Sequence, residues 1–119
     1  MSTTTDAFTI KSHLEHKDAV VRQIYDRILK STRKFGVVGE EPKKTSIHLV
    51  NRTAFAGVAT RKSAIILTIK SDRKLSSPRI YKSEQTSASR FHHEVKLLSP
   101  ADVDSELVKW LRDAYALSA

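Results

Sequence analysis

The histidines, acids and cations of this chain are its chemically capable side chains, and only the cations are distributed in a way that points to a task. From Lys43 to Lys96 there are twelve Lys or Arg against three acids, a net +9, while the residues outside that window carry nine basic and ten acidic side chains, a net −1. The +8 of the 119-residue chain therefore belongs to one region. Such a region concentrates positive potential, draws anions and neutralises phosphates with release of counterions, so any binding it supports weakens with salt. The residues expected to hold a ligand are Lys44, Arg52, Arg61, Lys62, Arg79, Lys82 and Arg90 for charge, His92 as an imidazole beside them, and Tyr81 as a ring on which a base can stack. The same pattern also suits a solvated basic surface, or edge strands kept charged against aggregation. No RNP-type strand, helix-turn-helix spacing or zinc-finger pattern accompanies it, so sequence-specific readout is not expected.

The other groups are less promising. His13 and His16 are three apart beside Glu15, but no third ligand follows at a defined offset, so no metal site is expected. His92 and His93 are adjacent on an alternating segment and face opposite sides; His93 reads as a hydrogen-bonded core or rim histidine, and His92 with His48 can meet an anion below neutral pH. Glu40 and Glu41 precede Pro42 in a connector, Asp102 and Asp104 suit a helix start, and Glu94 sits among cations that keep it ionised, so no carboxyl is set up as a general acid. There is no Gly-rich phosphate loop, nucleophile elbow or His-Glu-x-x-His, and the three glycines are scattered. These absences predict a non-enzymatic binding domain without a cofactor.

The elements that must position these residues follow from periodicity. Val20, Val21, Ile24, Tyr25, Ile28 and Leu29 recur at helical steps between Asp18 and Lys34, with Lys30, Arg33 and Lys34 where the helix dipole favours cations and Gly36 able to end the helix; a shorter turn capped by Thr9 precedes it. The period then changes to two. Ser46 to Arg52, Thr53 to Thr60 and Ser63 to Lys70 read as strands, the second with Gly57 permitting a bulge or a close backbone approach, and Arg90 to Leu98 as another, with His93, Val95 and Leu97 on one side. Ser71 to Ser89 reads as mostly loop with a short edge strand at Ile80 to Ser83. Ser99-Pro100-Ala101-Asp102 opens a last helix whose buried stripe includes Leu107, Trp110, Leu111 and Ala114.

Short connections imply an antiparallel sheet, and two amphipathic helices cover only one face of it. The expected fold is therefore α+β, a two-layer sandwich with four to five strands and both helices on one face, spanning 8–119 after a tail at 1–7. The uncovered face would carry His48, Val50, Arg52, Ile66, Thr68, Arg90, His92, Glu94 and Lys96. A polyanion or phosphorylated ligand is the leading expectation for it, nucleic acid without sequence preference included. A homodimer or protein-interaction module using that face, with charge serving solubility or an acidic partner, is the second, because Val50 and Ile66 offer apolar surface. A small-anion pocket near Lys44, His93 and Arg79 is the third. The longest apolar run, Ala64 to Leu67, is far short of a membrane span, and the chain has no cysteine, so a cytoplasmic protein is the expectation.

Three segments carry a resemblance: Pro42-Lys43-Lys44-Thr45-Ser46-Ile47 leading through Phe55 to Val58; Ser77-Pro78-Arg79; and His92-His93-Glu94-Val95 running into Ser99 to Asp104, Trp110-Leu111 and Ala114-Tyr115. Together they resemble the bacterial domain-of-unknown-function family 5655, some members of which are labelled predicted transport proteins. The likeness spans Phe8 to Ala116. It implies no activity, but it makes Lys44, Thr45, Arg79 and His93 motif positions. Where members often have Asp-Asp-Pro-Arg, this chain has Ser76-Ser77-Pro78-Arg79, so no role of those acids carries over.

Overall fold

A computed structural model describes residues 8–119; the tail expected at 1–7 lies outside the described residues. The elements are α1 (Ile10–Leu14), α2 (Ala19–Thr32), β1 (Gly39–Pro42), β2 (Ile47–Val50), β3 (Ala54–Thr60), β4 (Ile65–Ser71), β5 (Ile80–Ser87), β6 (Arg90–Leu97) and α3 (Ser105–Leu117), with a 3-10 turn at Pro100–Asp102. All strand pairs are antiparallel and form one sheet in the order β1-β2-β3-β4-β6-β5. The α+β class holds, with six strands where four to five were expected.

Both additional stretches of strand escape a periodicity argument for physical reasons. β1 is Gly-Glu-Glu-Pro, four residues of poor strand propensity held at the sheet edge by β2 through Glu40 opposite Leu49 and Glu41 opposite His48. What reads as a connector is thus a short, charged edge ending in proline, a form that resists further pairing. β5 extends to Ser87 because, as the other edge strand, nearly all of it is exposed on both faces and no alternation marks it. Register shifts at Ile80/Lys82 and Gln85/Ser87 twist that edge.

The core is built by one face of the sheet and the apolar stripes of the helices. Ile47 and Leu49 of β2, Val58 of β3, Ile65, Leu67 and Ile69 of β4, and Val95 and Leu97 of β6 are buried together with Val21, Ile24, Tyr25 and Ile28 of α2 and Leu107, Leu111 and Ala114 of α3. Each such side chain contributes about 1.5–3 kcal/mol by leaving water. The bulge lies between β2 and β3 at Leu49/Val50, where Ala54 and Ala56 flank the extra Phe55, and not at Gly57. It turns Phe55 into the core against the edge of the Tyr115 ring, at 5.3 Å between centroids.

The start of the last helix is two elements instead of one. Asp102 accepts from the N–H groups of Leu98 (2.8 Å) and Ser99 (3.2 Å) in the 3-10 turn, and Asp104 then caps α3 by accepting from Leu107 N–H at 3.1 Å. At the other end of the helical side, α2 gives way to a turn in which Gly36 has φ +153, a conformation costly for a residue with a Cβ. Among the described residues no helix is long and apolar enough to cross a membrane.

Candidate anion-binding face

The face of the sheet turned away from the core is laid out by register. His48 of β2 stands opposite Gly57 of β3, Gly57 opposite Thr68 of β4, Thr68 opposite Glu94 of β6, and Glu94 opposite Lys82 of β5. A neighbouring row sets Lys70 opposite His92 and His92 opposite Glu84; another sets Ala59 opposite Ile66 and Ile66 opposite Lys96. The small residues of β3 make the middle of this face concave. Ala54, Gly57 and Ala59 floor a groove of about 310 Å³ whose polar walls are Ser46, His48, Thr68, Lys70 and His92.

The two imidazoles of the groove are held below the usual histidine value of 6.5. For His48 the causes are partial burial, then the ammonium of Lys43, opposed by Glu41 and reinforced by Lys70; for His92 they are burial, then Lys70, opposed by Glu84 and reinforced by His93. Both are neutral at pH 7, so Lys70 is the groove's positive charge there, and each imidazole adds one on acidification.

Along the strands toward the β3–β4 turn, Lys70 and Ile66 are four residues apart, about 13 Å. There Arg61, Ile66, Arg79, Tyr81 and Lys96 line a hollow of about 410 Å³, which continues into one of about 400 Å³ bordered also by Lys62, Ser63 and Leu98. Tyr81 and Leu98 are each 58% exposed. The acid nearest this cluster is already engaged: Glu94 accepts from the Tyr81 hydroxyl at 2.8 Å and lies 3.8 Å from Lys82 Nζ. That bond orients the Tyr81 phenol while its ring stays in solvent, and it raises the phenol's pKa above 10.0. Arg61 donates to its neighbour's carbonyl, Thr60, at 3.4 Å, and no carboxylate among the described residues lies within ion-pair distance of Arg61 or Lys96.

The expected ligand residues are thus divided by the fold. Lys44, Arg61, Lys62 and Tyr81 fall at the end of the sheet where β1 turns into β2 and β3 into β4, while Arg52 in the β2–β3 turn and Arg90 at the start of β6 fall at the opposite end. Arg52 is therefore in a turn and not on the strand face, and Arg90 donates to the carbonyl of Ser89 at 2.9 Å. Lys62 is 2.9 Å from Asp18, whose second oxygen accepts from Ser63; these two contacts hold the Asp18 carboxyl below 3.8. Lys82 is paired to Glu94. Lys70 and Lys96 join the set through the sheet register.

Arg79 borders the same hollow as Tyr81, but its guanidinium is engaged with the start of α3. Its Nη1 donates to Asp104 at 2.7 Å and Glu106 at 3.3 Å, its Nη2 to the carbonyl of Asp102 at 2.6 Å, and its side chain is only 23% exposed. It ties the entry of β5 to the start of α3. His93 is likewise internal: fully buried, it pairs Nδ1 with the Ser83 hydroxyl at 2.8 Å, and its Nε2 meets the N–H of Leu75 at 3.3 Å and the carbonyl of Arg73 at 3.2 Å. Either tautomer is satisfied, and both pin the 72–79 segment along the sheet. Lys44, His93 and Arg79 therefore do not converge on a pocket. His13 donates Nε2–H to the carbonyl of Lys43 at 2.7 Å, and no cluster of three or more metal-ligating side chains occurs among the described residues.

Two of the motif positions thus have structural roles, which accounts for a chain-wide pattern without a catalytic signature. No curated protein and no solved structure matches the chain. The model of a domain of unknown function, DUF5655, matches residues 10–118, from the first residue of α1 through the residue after α3. The chain belongs to the DUF5655 family.

Proposed function

We propose that this is a non-enzymatic two-layer domain, with helices over one sheet face, that binds a polyanion on the other face; single-stranded nucleic acid without sequence preference is the ligand that fits best. The observation that carries the reading is the grouping of Arg61 and Lys96, neither in an ion pair, with the exposed ring of Tyr81 around one hollow that continues to Lys62, about 13 Å from Lys70 along the strands. Cations spaced along a shallow track suit a phosphate chain, and an aromatic face that is exposed and held by a hydrogen bond suits an unstacked base. Glu94 does not oppose this, because Tyr81 and Lys82 already occupy it. The openness of the hollows at Arg61 and Tyr81 supports binding through backbone and stacking.

The test is fluorescence anisotropy of short labelled single-stranded DNA and RNA titrated from low to moderate salt. The reading predicts binding that falls steeply with salt and that drops at least about tenfold in an Arg61→Gln/Lys96→Gln variant of unchanged thermal stability. No binding even at low salt would end it.

A further inference from the structure

On the helical side of the molecule a second cationic site is formed by residues outside the basic window. The side chains at 27, 30 and 31 share one face of α2, Lys34 follows in the turn after it, and those at 105, 108 and 112 share one face of α3. They border one cleft of about 550 Å³, and four cations line it: Arg27, Lys30, Lys34 and Arg112. Val103, Val108 and Phe35 give it an apolar floor, and the Arg112 guanidinium lies over the Phe35 ring at 5.4 Å from its centroid.

Among the described residues, none of the four cations of this cleft is in an ion pair. The acids near α2 are spent on other cations, Asp26 on Arg22 and Glu40 on Arg33, and the one carboxylate bordering the cleft, Asp104, is bonded to Arg79 and to Leu107 N–H. Among the described residues no carboxylate lies within 4.0 Å of any of the four cations. The dipole at the end of α2 favours Lys30, but it does not explain why Arg27 and Arg112 of two different elements join it across a concavity. Four like charges around one hollow repel each other, a cost that a multiply charged anion removes.

We infer that the cleft between α2 and α3 binds a small oligophosphate, two or more linked phosphates, with Arg27, Lys30, Lys34 and Arg112 as its counter-charges. Its concavity is of the size that takes a small ligand, and its apolar floor can accept an organic group attached to the phosphates. The inference is independent of polyanion binding on the sheet.

The experiment uses the full chain in magnesium-free, low-salt buffer, with isothermal titration of inorganic tripolyphosphate in one arm and ATP in the other. Binding of both is expected, with ATP tighter if the apolar floor is used and equal if the phosphates alone are recognised. Arg27→Gln/Lys30→Gln changes exposed helix positions to a residue of similar helix propensity and should weaken binding at least about tenfold. Lys11→Gln/Lys74→Gln, which removes the same charge away from the cleft, and Arg61→Gln/Lys96→Gln should leave it within about twofold. No heat or shift with either ligand, or an equal loss in all three variants, overturns the site.

Discussion

Replacing Arg79 by Gln tests two roles open to a guanidinium at the rim of the sheet-face hollow, a clamp and a ligand contact. In the clamp, Arg79 makes two charge-assisted bonds to carboxylates and one to the Asp102 carbonyl. Bonds to charged groups contribute about 1.5–3 kcal/mol in sheltered settings, but the Asp104 and Glu106 side chains are 49% and 50% exposed, so water and salt screen them. With each carboxylate contact reduced to about 0.5 kcal/mol and the carbonyl contact to about 1 kcal/mol, the loss comes to about 2 kcal/mol, or about 8 °C in Tm for a domain of this size. The pH dependence has a definite sign. Leu107 N–H first and Arg79 next hold the Asp104 carboxyl below 3.8, so its ion-pair contribution is complete above that value and is lost as pH falls through the lower value of the folded state. Urea midpoints of Arg79→Gln and the parent should therefore differ by a constant amount around neutrality and converge in part below pH 3.8, leaving the carbonyl bond as the residual gap. An unchanged midpoint at neutral pH together with lost oligonucleotide affinity would refute the clamp and return Arg79 to the ligand site.

Three further outcomes follow from the same geometry. Asp18→Asn frees Lys62 beside Arg61 without removing a cap, since Asp18 makes no side-chain cap bond to α2; oligonucleotide affinity should rise and the slope of log K against log salt should steepen by about 0.7, read by anisotropy. Because burial and Lys70 hold His48 and His92 below 6.5, affinity for the oligonucleotide should strengthen as pH falls below 6.5 in the parent and much less in His48→Gln/His92→Gln; over the same range the unfolded chain takes up these protons first, so stability is full above 6.5 and declines below it. Gly36→Ala puts a Cβ about 2.5 Å from the Tyr115 hydroxyl at φ +153 and should cost about 2 kcal/mol in thermal unfolding, part of which Tyr115→Phe restores by removing the hydroxyl that collides.

The helices and inner strands were legible in the sequence because burial on one side imposes a period: the stripe from Val21 to Leu29 and the alternation in Ile65 to Ile69 and His93 to Leu97 are the core itself. The β1 edge and the far half of β5 were not, because neither Glu40 and Glu41 on one side nor Glu84 to Ser87 on the other has a buried face to pattern it. The candidate site was visible in part. The basic window contains Arg61, Lys62, Lys70 and Lys96, but sequence position does not show which cations are neutralised by residues far along the chain, as Lys62 is by Asp18 and Arg79 by Asp104. The same blindness hid the α2–α3 cleft: the balance of −1 outside the window averages four clustered cations with acids that lie elsewhere.

The most direct test of anion binding on the sheet is an amide NMR titration of the isotope-labelled chain with a short single-stranded oligonucleotide at low salt. Shifts concentrated at Arg61, Ile66, Tyr81 and Lys96 and fading toward Arg52 and Arg90 are the predicted result. Unmoved resonances at those four positions, with the shifts confined to Arg27, Lys30 and Arg112 or absent altogether, would contradict it.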